Sequence, residues 1–119
     1  PEVVEDELVI EELEEEGFTS PIFYGDLSEI VFSPLDTQGG QLVSTTIVLE
    51  VDREVVIEEI TKKHSMIWDL SLQVLEGKTV LELRDPIKES IREELKKKIN
   101  KELQNGAVEK ILFTYFVMQ

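Results

Sequence analysis

The sequence predicts an α+β domain, a small antiparallel or mixed sheet with helices packed against one of its faces. Three observations lead there. Residues 42–51, LVSTTIVLEV, set Val43, Thr45, Ile47, Leu49 and Val51 against Leu42, Ser44, Thr46, Val48 and Glu50 in the period of a strand, and β-branched residues dominate. Ile87, Ile91, Leu95, Ile99 and Leu103 recur every fourth residue, the spacing of one helix face. Residues 108–119 are apolar on both alternating faces, as in a strand that is central in a sheet or covered by helices.

The chain opens on an acidic arm, residues 1–24. Within it, EVVEDELVIEELEEE (2–16) places Val4, Leu8 and Leu13 near helical spacing, but Glu2/Asp6, Glu7/Glu11, Glu11/Glu15 and Glu12/Glu16 are like charges four apart. Each such pair costs a helix about 0.2–0.5 kcal/mol, and no basic residue nearby relieves it. The expectation is a marginal helix or a disordered arm, ended by Gly17. Phe18, Phe23 and Tyr24 then cluster with Ile22 around Pro21. They either cover one edge of the core or make a self-association or partner contact, since aromatics are favoured in interface cores.

A single domain is expected over residues 25–119. Leu27–Phe32 reads as a strand. Residues 33–40, SPLDTQGG, read as a turn, because Pro34 sets φ and Gly39-Gly40 permit positive φ. This strand and the one over 42–51 should pair as an antiparallel hairpin. Asp52 has the chemistry of an N-cap for a helix striped by Val56, Ile60, Ile67, Leu70, Val74 and Leu75 and ending near Gly77. Thr79-Val80-Leu81-Glu82 has the form of a capping box over a short helical turn. Asp85-Pro86 should open the next helix, with Asp as cap and Pro in the first position.

That helix is assigned an outer face of Glu89, Arg92, Glu93, Glu94, Lys96, Lys97, Lys98 and Lys101, acidic early and basic late as the helix dipole favours, with Asn105-Gly106 as its stop. In the closing strand Ile111, Phe113, Tyr115 and Val117 should face one way and Leu112, Thr114, Phe116 and Met118 the other. The order is arm, strand, strand, helix, short helix, helix, strand.

At 119 residues the chain fits one domain, and such a chain can bury roughly two-thirds of its unfolded surface. It has no cysteine, which excludes disulfides and thiolate metal sites. The net charge of −14 is segregated: residues 1–52 hold 14 acidic and no basic side chains, whereas residues 53–119 hold 12 of each sign. This balance argues against nucleic acid and anionic lipid surfaces as partners. The longest strongly apolar run, Ile111–Met118, is interrupted by Thr114 and falls far short of the ~20 residues that span a bilayer. The start Pro1-Glu2-Val3-Val4-Glu5-Asp6 is the opposite of a basic signal-peptide start. The chain as given is expected neither to cross a membrane nor to carry its own export signal, and the missing initiator Met leaves room for an upstream segment.

Candidates for chemistry are few. His64 is the only histidine. Ser65 or Ser71, His64 and Asp69 could supply a nucleophilic set by residue type, but all lie on one helix, where residues one apart do not face each other. A lone histidine does not make a transition-metal site, and the acidic arm lacks the internal glycine of a calcium loop. The glutamates fall in charged stretches or at outer positions, and Gly39-Gly40 lacks the pattern of a phosphate-cradling loop. No catalytic residue, cofactor or metal ligand is assigned. Trp68, slightly off the apolar stripe, reads as core edge or as an interface anchor.

Residues 42–119 carry a resemblance. Leu42–Asp52, LVSTTIVLEVD, resembles the second-strand signature of the FliL family of flagellar basal-body proteins. Ile67-Trp68-Asp69, then Leu75-Glu76-Gly77-Lys78-Thr79 and Leu81-Glu82-Leu83, are similar to that family's "I-x-D … l-x-x-K-T … e-L" stretch. Leu95 through Ile99-Asn100 resembles its "L … l-N" helix, and the closing VEKILFTYFVMQ (108–119) is similar to its Phe-Thr-x-Phe-x-x-Gln strand. Two stretches depart from the pattern: Arg84-Asp85-Pro86 stands where the family often has a glycine, and Ser33-Pro34-Leu35 where it often has Asn-Leu.

The resemblance implies a non-enzymatic accessory of the bacterial flagellar motor. Its expected form is a single-pass inner-membrane protein whose periplasmic domain has an SPFH (stomatin)-like fold, associates with stator units and forms a ring when membrane-anchored. The membrane helix would lie upstream, and the acidic arm would link it to the domain. Phe18, Phe23, Tyr24 and Trp68 are the candidate protein–protein contacts. Two other readings stand beside this one, an SPFH-type membrane scaffold unrelated to motility and a small-ligand-binding module.

Overall fold

The alternation in residues 42–51 sets the frame of the sheet. In the computed structural model, which describes residues 2–3 and 23–119, β2 (Phe23–Phe32) and β3 (Val43–Val51) form the antiparallel hairpin, with Phe23 opposite Val51 and Phe32 opposite Val43. β4 (Val108–Met118) runs antiparallel along the other side of β3, and a two-residue strand, β1 (Glu2–Val3), pairs with its far end. The sheet order is β1-β4-β3-β2. Between the last two long strands come α1 (Glu54–Lys62), α2 (His64–Glu76), α3 (Val80–Arg84) and α4 (Glu89–Asn100).

Every second residue of β3 from Val43 to Val51 is buried, and the residues between are half exposed. Onto the buried face pack Val56 and Ile60 of α1, Ile67, Val74 and Leu75 of α2, Leu83 of α3 and Ile91, Leu95 and Ile99 of α4, forming one core with Leu27, Ile30, Ile111 and Phe113. The fold is therefore α+β with helices on one face of the sheet. Gly25 lets α1 seat closely on β2, since a Cβ there would lie 3.0 Å from Ile60 Cδ1. The hairpin loop turns through Gln38 (φ 52°) and Gly39 (φ 82°), and the capping box forms as predicted, with Thr79 accepting from the Glu82 N–H and Glu82 from the Thr79 N–H.

The strand expected over Leu27–Phe32 begins at Phe23, so it takes in the last two residues of the expected arm, and Glu2–Val3 of that arm are a short strand on β4. Five other expectations about the elements change. The single helix after β3 is two, broken at Lys63, whose ammonium donates to Glu59 and to the Glu102 carbonyl, both at 2.7 Å. Asp52 does not cap α1. The cap position is Arg53, without a side-chain bond, and the Asp52 carboxylate accepts from the Ala107 N–H at 2.9 Å, holding the entry to β4. Asp85-Pro86 does not open α4 either, because the Asp85 carboxylate turns onto the Ile87 N–H, Lys88 (φ 53°) precedes the helix, and Ile87 is left 66% exposed.

The fourth change concerns the outer face and end of α4. Arg92, Glu94 and Lys96 are only partly exposed, and the helix stops at Asn100, where that side chain bonds the Val108 backbone, leaving Leu103 buried beyond it. Last, β4 carries a bulge. Thr46 faces Tyr115 but Ile47 faces Phe113, so Thr114 is skipped and the alternation inverts. Phe116 and Met118 join Ile111 and Phe113 in the core, and Tyr115 is 40% exposed on the other face. The expectations for the arm between residues 4 and 22, including Gly17, Phe18, Pro21 and Ile22, lie outside the described residues.

Candidate contact surface

Of the four candidate contact residues, Phe18 lies outside the described residues. Phe23 and Tyr24 stand side by side at the start of β2 but point to opposite faces. Phe23, opposite Val51, is half-buried and packs on the core. Tyr24, opposite Glu50, lies on the face away from the described helices, where burial first and the Glu50 carboxylate second push its phenol above the ordinary tyrosine value. Trp68 is half-buried on α2, packs against the core and donates Nε1–H to the Glu29 carbonyl at 3.1 Å. Structure therefore brings Trp68 to β2 but gives Phe23 and Tyr24 different faces.

The face that bears no helix among the described residues carries Asp26, Glu29 and Val31 on β2, Thr46 and Val48 on β3 and Leu112 and Tyr115 on β4. Val31 is 51% exposed there, and acidic side chains flank the apolar ones. A hollow of about 290 Å³ lies between α4 and β4, lined by Glu89, Arg92, Lys96, Glu109, Lys110 and Leu112 among others. Lys88, 1% exposed, sets its ammonium 4.3 Å from the centre of the Phe116 ring, a cation–π contact inside the core.

The residues with chemistry are engaged in hydrogen bonds within α2 or between α2 and β2. His64 Nε2 lies 3.0 Å from the Leu27 carbonyl, Ser71 Oγ donates to the Ile67 carbonyl, and Asp69 accepts from Gln73, so these three do not converge. Glu59 corrects the expectation that the glutamates are outward. It is 5% exposed and accepts from Lys63 Nζ and from the Gln104 and Asn105 N–H groups. The Lys63 hydrogen bond foremost, then the two backbone bonds, hold its carboxyl below the ordinary value against the opposing effect of burial. Lys78 does the same foremost for Glu94, linking the α2–α3 loop to α4. Glu82 is lowered by the Thr79 backbone bond and then its hydroxyl. All three shifts favour the ionised form, whereas acid–base pairs need values pushed apart. Among the described residues no group of three or more His, Cys, Asp or Glu could hold a metal ion.

Sequence reasoning passed over Glu59, Arg92 and Asn100. For Glu59 the signal was its place beside Val56 and Ile60 with Lys63 four residues on. The stretches that carry the family resemblance prove to be joints: Lys78 binds Glu94, Thr79 caps α3, Asn100 joins α4 to β4, and Thr114 makes the bulge.

A family model, "Flagellar basal body-associated protein FliL", matches residues 24–119. The chain is 37% identical over 75 residues to the flagellar protein FliL of Aquifex aeolicus, a match covering 62% of this chain and 47% of that protein. It is 32% identical over 101 residues to the flagellar protein FliL of Bacillus subtilis, covering 78% of this chain and 72% of that one. The chain thus spans about half the length of the first relative and about three-quarters of the second.

Proposed function

The chain belongs to the FliL family of flagellar basal body-associated proteins, and from that premise we propose that it supports torque generation by associating with the motor's stator units through this domain. The observation that carries the reading is the family match over residues 24–119, which takes in every element from β2 to β4 except the first residue of β2. In this proposal the role is structural and non-enzymatic, the domain sits in the periplasm, and a single membrane helix lies upstream of residue 1. Copies held together by that anchor gain effective concentration and close into a ring. An SPFH-like fold is part of the same proposal, supported by the order hairpin, helices on one face, closing strand. Phe18, Phe23, Tyr24 and Trp68 are its proposed contacts.

In-cell photocross-linking from positions 24 and 68, combined with swimming assays in viscous medium, tests the proposal. Adducts with a stator subunit and loss of motility under load after gene deletion are expected. Absence of stator adducts together with unchanged motility under load would sink it.

A further inference from the structure

An edge strand presents unpaired N–H and C=O groups, a template on which another chain can pair. In this sheet the outer strands meet side chains from the helices. On β2, Trp68 Nε1–H donates to the Glu29 carbonyl at 3.1 Å, and His64 Nε2 lies 3.0 Å from the Leu27 carbonyl. A carbonyl only accepts, so His64 is the donor. Both side chains come from α2, four residues apart. Between the two carbonyls sits Ser28 (φ 71°), in a bulge that shifts the register between Asp26 and Glu29.

β4 is met in the same way from α4. The Val108 N–H donates to Asn100 Oδ1 at 2.7 Å, and Asn100 Nδ2 returns a bond to the Val108 carbonyl at 3.1 Å, so one amide side chain stands in for a strand residue. Arg92 Nη1 donates to the Ile111 carbonyl at 2.7 Å while its guanidinium lies 4.9 Å from the centre of the Phe113 ring. β1 pairs with Val117 and Met118 at the strand's end. Two helices thus supply four unrelated side chains that bond the backbones of the outer long strands.

We propose that His64, Trp68, Arg92 and Asn100 are edge guards that stop the sheet from growing by strand addition. Another copy, or any partner, must then meet this domain through side-chain contacts and not through a shared backbone ladder. The inference does not depend on the flagellar reading. If copies do form a ring, it constrains how they touch.

The test compares two double variants that keep bulk but remove donors, His64→Phe/Trp68→Phe and Arg92→Met/Asn100→Leu, with Ile99→Val, which weakens the core without touching an edge. The single variants Trp68→Phe and Arg92→Met stand in if a double variant does not fold. Sedimentation gives self-association of the folded proteins, and the infrared amide I band reports intermolecular strands. Guard variants should associate at concentrations about tenfold or more below the unaltered chain, with intermolecular-strand absorption, because a bared edge pairs. The Ile99→Val protein should follow the unaltered chain. Folded guard variants as monomeric as the unaltered chain, or an Ile99→Val protein that associates as strongly as they do, would overturn the proposal.

Discussion

A carboxylate loses hydration when buried, so Glu59 is stable at 5% exposure because an ammonium and two backbone N–H groups replace the water. It fastens the loop after α4 to α1. Glu59→Gln keeps the shape but removes the charge from these bonds, and should cost about 1.5–3 kcal/mol in urea unfolding at neutral pH. The carboxyl is held below its unfolded value of 4.5, so its contribution is fully present above that pH and is lost as pH falls through the lower folded value. Stability of the Glu59→Gln protein should therefore fall less steeply with acid below about pH 4.5 than that of the unaltered chain, which paired pH titrations of the unfolding free energy will show. Gly106 lies in the same loop at φ 156°, where an added Cβ would come within 2.5 Å of Val56 Cγ2 and 2.6 Å of Asp52 Oδ1. Gly106→Ala should cost about 1–3 kcal/mol through overpacking, read as a lower urea midpoint with an unchanged slope.

At the scale of elements, α4 shows where a sequence stripe and a buried face part company. Ile87 and Ile91 belong to one four-residue series, yet Ile91 is 2% exposed and Ile87 is 66% exposed. The cause is local: Asp85 bonds the Ile87 N–H in a turn, and Lys88 at positive φ sets the helix start one residue later. Ile91→Ala should cost about 2–5 kcal/mol, and Ile87→Ala less than about 0.5 kcal/mol, in thermal or chemical unfolding. Equal costs would mean that the helix begins where the stripe does. The capping box on α3 is the opposite case, since both of its bonds lie within four residues and need nothing from the rest of the fold.

For the whole molecule, charge and packing act on different parts. Residues 53–119 are balanced in sign and contribute four helices and β4, while the entire net charge of −14 lies in residues 1–52. That repulsion, together with edge backbone groups engaged by α2 and α4, opposes association between copies. The domain by itself should be monomeric at micromolar concentration, as light scattering will measure, and should assemble only when an anchor raises its effective concentration. A tight ring of the isolated chain in solution would contradict this. Among the described residues no helix is long and apolar enough to cross a membrane.

Much of the fold was legible because it rests on short-range chemistry. The alternation from Val43 to Val51 places its own buried face, the turn at 33–40 joins its neighbours into a hairpin, and Ile91, Leu95 and Ile99 mark the inward side of α4. The family resemblance was legible for the same reason, since its stretches are continuous in sequence. The break at Lys63, the bulge at Thr114, the burial of Glu59 and the roles of His64, Arg92 and Asn100 were not. Each depends on a partner outside its own element: Lys63 on Glu102, Glu59 on Gln104, His64 on Leu27, Arg92 on Ile111, Asn100 on Val108 and Thr114 on Thr46. Periodicity determined which residues turn inward along β3 and from Ile91 to Ile99 of α4, where no bulge or turn interrupts it. Only the tertiary structure decided where backbone groups left over by the sheet and helix ends find partners, because a hydrogen bond depends on distance and angle in space and not on separation in sequence.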